Sequence, residues 1–89
     1  MVWKVDFTQE AQRQFDRLDP QISKRIVSVM NSRIAKLDNP RLIGAALKGS
    51  KFGEFWKYRI GDYRVIARIE DETVCILVVR VANRREVYR

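Results

Sequence analysis

Phe55-Trp56-Lys57-Tyr58-Arg59-Ile60-Gly61-Asp62-Tyr63-Arg64-Val65-Ile66-Ala67-Arg68-Ile69-Glu70 decides the fold, because its hydrophobic period is two and a glycine-led dipeptide interrupts it. A two-residue loop at Gly61-Asp62 joins strands Phe55–Ile60 and Tyr63–Glu70 into a hairpin. Ile60 then faces Tyr63, Arg59 faces Arg64, Tyr58 faces Val65 and Lys57 faces Ile66. Side chains alternate between the two faces of a strand. One face therefore collects Trp56, Tyr58, Ile60, Tyr63, Val65, Ala67 and Ile69, a core surface. The other collects Lys57, Arg59, Arg64 and Arg68, with Phe55 and Ile66 among them. Asp71-Glu72 predicts a second two-residue turn, and Thr73–Ala82, rich in Val and Ile, a third strand. On that register Cys75, Leu77 and Val79 share the cationic face, so the third strand is buried on both sides. Cys75 then reads as a small core residue, not a nucleophile.

Upstream, Val2–Phe7 reads as an opening strand, and Thr8 as the N-cap of a helix over about residues 9–18, with Ala11, Phe15 and Leu18 at helical spacing. Asp19-Pro20 starts a second helix, since Pro at the first position gives up an N–H that has no partner anyway. Ile22, Ile26, Val29, Met30, Ile34 and Leu37 mark its apolar face, and Asn39-Pro40 stops it. A loop with Gly44, Gly49 and Gly53 leads to the hairpin. The fold class is α+β: a strand–helix–helix unit followed by an antiparallel three-strand meander, with the helix hairpin packed on one sheet face. Residues 1–89 form a single domain.

The chain has 89 residues, 46% of them apolar, and its longest apolar run, Val74–Val79, is far short of the ~20 residues a membrane span needs. No cationic start followed by an apolar stretch marks a secretory signal. The single cysteine excludes an internal disulfide and a cysteine-built zinc site, and the absence of histidine removes the commonest general base and metal ligand. No metal or cofactor is expected, and the setting is a reducing cytoplasm. Eighteen Lys and Arg against eleven Asp and Glu give a net charge of +7, and the pI is about 10.1, which points to a polyanionic partner. Arginines directly opposite each other across a ladder repel, by up to ~1 kcal/mol. The only nearby acids, Glu54 and Asp62, lie at strand ends, so the face that carries Lys57, Arg59, Arg64 and Arg68 reads as an anion site, with a solvated basic face as the alternative. In the tail, Arg84, Arg85 and Arg89 flank Tyr88, the pairing of guanidinium and ring that single-stranded RNA recognition uses. On the tail alone, a frayed basic terminus is the alternative.

Leu47-Lys48-Gly49, Trp56-Lys57-Tyr58-Arg59, Gly61-Asp62-Tyr63-Arg64 and Asn83-Arg84-Arg85-Glu86-Val87-Tyr88, in this element order, resemble RelE-type toxins of bacterial and archaeal toxin–antitoxin modules. The resemblance spans essentially the whole chain. It implies a RelE-like fold and a ribosome-dependent endoribonuclease that cuts mRNA in the A site without a metal. It also implies a cognate acidic antitoxin, bound in a hetero-oligomer, and no membrane association. By the same resemblance Lys57, Arg59, Arg64, Arg84 and Tyr88 are the catalytic set; the further basic residues Lys48, Lys51, Arg68 and Arg85 are expected to bind RNA. Arg64, assisted by Arg59, would stabilise the phosphorane; Lys57 or Tyr88 would serve as base, Tyr88 otherwise as a stacking platform; Arg84 would hold or protonate the leaving oxygen. Arg59 stands where the best-known members have lysine, and Asn83 where many have histidine. The competing readings are a non-enzymatic ParE-type toxin that binds DNA gyrase and a plain RNA-binding module.

Overall fold

A computed structural model of the chain describes residues 2–47 and 55–83. The hairpin pairs as its turn requires: β3 (Phe55–Ile60) and β4 (Tyr63–Glu70) are antiparallel, with Ile60 opposite Tyr63, Arg59 opposite Arg64 and Lys57 opposite Ile66. Gly61 has φ +59°. That places glycine at the first central position of the turn, where a type II′ hairpin needs a positive φ.

The next turn is longer than predicted. Asp71–Val74, rather than Asp71-Glu72, connects β4 to β5 (Cys75–Asn83), with Glu70 opposite Cys75 and Val74 at φ 52°. The shift is by two residues, so Cys75 and Leu77 keep the expected face. Val79 does not. A bulge between the Ala67–Val78 and Ile66–Arg80 pairs leaves Val79 as the extra residue and turns Arg80 and Ala82 onto the cationic face. Asn83, predicted to open the tail, ends β5 opposite Tyr63.

The meander lies within a five-stranded sheet of order β1-β5-β4-β3-β2. β1 (Lys4–Phe7) is two residues shorter than predicted and runs parallel to β5. Trp3 leaves the ladder because its N–H donates to the Ala35 carbonyl at 2.7 Å and its side chain is buried. β2 (Ala45–Ala46), unexpected from the glycine-containing loop, pairs antiparallel with β3.

Thr8 caps α1 (Gln9–Asp16) by accepting the Ala11 N–H, and Asp19 caps α2 (Pro20–Val29) by accepting that of Gln21. The predicted continuous second helix instead widens into a π-helical turn over Met30–Ile34, where the Ala35 N–H reaches the Met30 carbonyl. The Asn31 amide and the Ser32 hydroxyl bond back to the carbonyls of Val27 and Ser28, the local competition that disturbs an α ladder. Ala11, Phe15, Ile26, Met30 and Ile34 form one core with Tyr58, Val65, Ala67, Ile76 and Val78 of the sheet. Both helices thus cover the predicted core face and leave the cationic face on the other side. No helix among the described residues is long and apolar enough to cross a membrane.

Candidate nucleic-acid interface

β2 exists because Gly44 allows it. Gly44 has φ +82°, and a Cβ there would lie 2.5 Å from the Lys57 carbonyl oxygen and 2.8 Å from Trp56 Nε1. Only a residue without a side chain lets the chain come this close to β3. Trp56 Nε1 donates to the Ile43 carbonyl at 2.7 Å, and Ala45 pairs with Lys57. The methyl of Ala45 therefore stands beside Lys57 on the cationic face and walls in little space. The result is a cleft of about 210 Å³ lined by Gly44, Ala45, Lys57, Arg59 and Arg64. No carboxylate lines it among the described residues.

The three cations differ in solvation. Arg59 is exposed, Lys57 half-buried, and Arg64, on the central strand, is only 7% exposed. The open basic strip implied by alternation is therefore a recessed arginine with two more accessible cations above it. A guanidinium keeps its charge in such a place and offers a planar fork of donors matched to phosphate oxygens. Held within the fold, it loses little entropy on meeting an anion, which is what electrostatic preorganisation requires.

Two contacts brace the segment that carries Gly44. The buried Tyr58 hydroxyl donates to the Pro40 carbonyl at 2.5 Å, and burial pushes its pKa up to about 12 although Arg41 pulls the other way. Arg41 makes a bidentate pair with Asp71, both bonds 2.9 Å, tying the same segment to the β4–β5 turn. The hydrogen bond from Arg41 holds the Asp71 carboxyl below its ordinary range.

Of the predicted site residues, Lys57, Arg59 and Arg64 come together. Arg68 shares their face, but it lines a separate cleft of about 610 Å³ with Glu70, Asp71 and Glu72, carboxylates that make that space a poor seat for a polyanion. Lys48, Lys51, Arg84, Arg85 and Tyr88 lie outside the described residues. Cys75 is buried, and desolvation raises its thiol pKa, in keeping with a core residue. No group of three Asp, Glu or Cys among the described residues is placed to hold a metal ion. Alternation missed Arg80, since strict period two from Leu77 puts it on the core face. The signal was present: an arginine between Val78 and Ala82 is out of place in a core, and a bulge resolves the conflict. Nothing in the loop composition marked Gly44 and Ala45 as a wall.

The family of ParE toxins of the type II toxin–antitoxin system parDE matches residues 5–88. Toxin RelG of Mycobacterium tuberculosis (strain ATCC 25618 / H37Rv) is 32% identical over 89 residues, covering 100% of this chain and 99% of that protein. A putative RelE-like toxin protein of Escherichia coli is 29% identical over 84 residues, 94% of this chain and 85% of its own. Among solved structures, the toxin–antitoxin complex RelBE2 of Mycobacterium tuberculosis superposes with a TM-score of 0.83 at 27% identity, covering 94% of this chain and 93% of that one. The isolated E. coli RelE toxin shares the fold, with a TM-score of 0.60 at 24% identity over 98% of this chain and 92% of that one. With the family matching residues 5–88 and a relative of nearly equal length 32% identical over the whole chain, the chain belongs to the RelE/ParE superfamily of type II toxin–antitoxin toxins.

Proposed function

We propose that this toxin is a ribosome-dependent endoribonuclease that cleaves mRNA in the A site and so inhibits translation. The observation that carries the reading is the cleft beside β2, where Lys57, Arg59 and Arg64 converge with no described carboxylate on its wall. In the reaction the RNA 2′-oxygen forms a bond to the adjacent phosphorus and loses its proton to a base. The bond from phosphorus to the 5′-oxygen breaks, that oxygen gains a proton, and a 2′,3′-cyclic phosphate and a 5′-hydroxyl remain. Arg64, with Arg59, stabilises the extra negative charge of the phosphorane more than that of the ground state. Lys57 or Tyr88 takes the proton, and Arg84 serves the leaving oxygen; Lys48, Lys51 and Arg85 hold flanking phosphates. The ribosome supplies in-line positioning of the mRNA. A cognate acidic antitoxin covers the cationic face in a hetero-oligomer, and the protein works in the cytoplasm. Support for that partner comes from the RelBE2 complex, a toxin–antitoxin pair whose toxin has this fold.

The test is primer extension on mRNA from translating ribosomes, with Arg64→Met as the variant that keeps the stem and removes the charge. Wild type should leave ends within the A-site codon, and Arg64→Met should slow their appearance by roughly 10²–10³-fold, the loss seen when one transition-state donor is removed. Undiminished cleavage by the variant would take Arg64 out of the chemistry. The match to ParE toxins favours a second reading, a toxin without nuclease activity that binds DNA gyrase. Inhibition of gyrase supercoiling, with no new mRNA ends, would establish that reading instead.

A further inference from the structure

β1 stops pairing at Val78, opposite Phe7, and the Thr8 N–H closes that ladder on the Val78 carbonyl. Val79 follows as the bulged residue, and the Val81 N–H, left without a β1 partner, donates to the Gln14 side-chain oxygen at 2.8 Å. The bulge thus falls where β5 becomes an edge of the sheet. It lets Val78 and Val81, three positions apart, both reach the core, where they are 0% and 6% exposed. Arg80 between them turns to the opposite face, in register with Ile66, which is in turn opposite Lys57. One row across the sheet therefore reads Ala45, Lys57, Ile66, Arg80, with the last residue exposed at the edge. Arg80 forms no ion pair among the described residues.

We propose that Arg80 is a phosphate contact for single-stranded RNA, so that the bound strand leaves the cleft across β3, β4 and β5 rather than along them; this rests on the ribonuclease reading above. Two strand spacings separate Lys57 from Arg80, roughly 10 Å. That equals the rise of about three stacked nucleotides, fewer if the strand is extended. Between them Ile66, 8% exposed, gives an apolar floor free of charge. The path along β4 is worse for a polyanion. Along β4 the face passes Arg68 and then meets Glu70, opposite Cys75, beside the cleft that Glu70, Asp71 and Glu72 line. The path across the strands instead ends on an exposed cation, Arg80.

Fluorescence anisotropy with a labelled single-stranded RNA, 2′-O-methylated throughout to block cleavage, tests the assignment by salt titration. Arg80→Gln should weaken binding at every salt concentration and reduce the slope of log K against log salt by about 0.7, the value for one lost contact to a single strand. Arg80→Lys should restore most of the slope. Arg33→Gln, an exposed cation in the π-helical turn on the far side of the sheet, removes the same net charge and should leave the slope unchanged. Equal behaviour of Arg80→Gln and Arg33→Gln would overturn the proposal, because Arg80 would then act only through net charge. If Lys57→Gln and Arg59→Gln lose binding while Arg80→Gln binds as wild type does, the cleft stands and the path across the strands fails. If wild type shows no salt-dependent binding, the assignment of Arg80 fails, while primer extension on translating ribosomes decides the ribonuclease reading separately.

Discussion

Gly44→Ala should be among the most damaging single-atom additions to this protein, and the structure says by how much. The residue sits at φ +82°, where an L side chain carries a strain of about 1–2 kcal/mol. The new methyl would also stand 2.5 Å from the Lys57 carbonyl oxygen and 2.8 Å from Trp56 Nε1, so β2 must move away from β3. That movement lengthens the 2.7 Å bond from Trp56 Nε1 to the Ile43 carbonyl, worth about 1 kcal/mol net. The sum is about 2–3 kcal/mol. In a domain of this size each kcal/mol shifts Tm by about 4–8 °C, so the melting point should fall by about 10–25 °C. Gly61→Ala isolates the strain from the clash, because Gly61 also has a positive φ, +59°, but its Cβ would meet nothing closer than Arg25 Nη1 at 4.0 Å. It should cost only about 1–2 kcal/mol. Thermal unfolding followed by circular dichroism, with tryptophan fluorescence reporting on Trp56, measures both. A Gly44→Ala protein no less stable than Gly61→Ala would refute the close approach of β2 to β3, and with it the wall of the cleft.

Two further outcomes follow from the braces around Pro40. Tyr58 has a folded-state pKa of about 12 against about 10 unfolded, so the neutral phenol favours the fold below pH ~10 and that contribution is lost as pH rises toward 12. Chemical unfolding should show wild type losing roughly 2–3 kcal/mol more than Tyr58→Phe across that window, and parallel curves would remove the buried bond to Pro40 from the account. Asp71 should titrate below the ordinary carboxylate range by NMR and return to it in Arg41→Gln; an unchanged titration would mean that the bidentate pair does not persist in solution.

Much of this protein was legible in the chain because hairpin register is local. The Gly61-Asp62 turn and a period of two are enough to set Arg59 opposite Arg64 and Lys57 beside them, since two-residue loops leave no freedom in pairing. Thr8 and Asp19-Pro20 likewise marked both helix starts, as caps act within one turn. Tertiary structure decided the rest. The parallel pairing of β1 with β5 joins residues 71 positions apart, Lys4 with Cys75, and no local pattern encodes it. The end of β1 at Val78, and the Gln14 side chain that takes over the freed edge, set where β5 bulges; that bulge sends Arg80 to the cationic face against its alternation. Burial of Arg64 and the approach of Gly44 to β3 are also collective, for each depends on what neighbouring strands leave open. Sequence spacing thus chose which cations share a face, while packing between distant segments decided which one is recessed, how wide the cleft is and how far the charged surface extends.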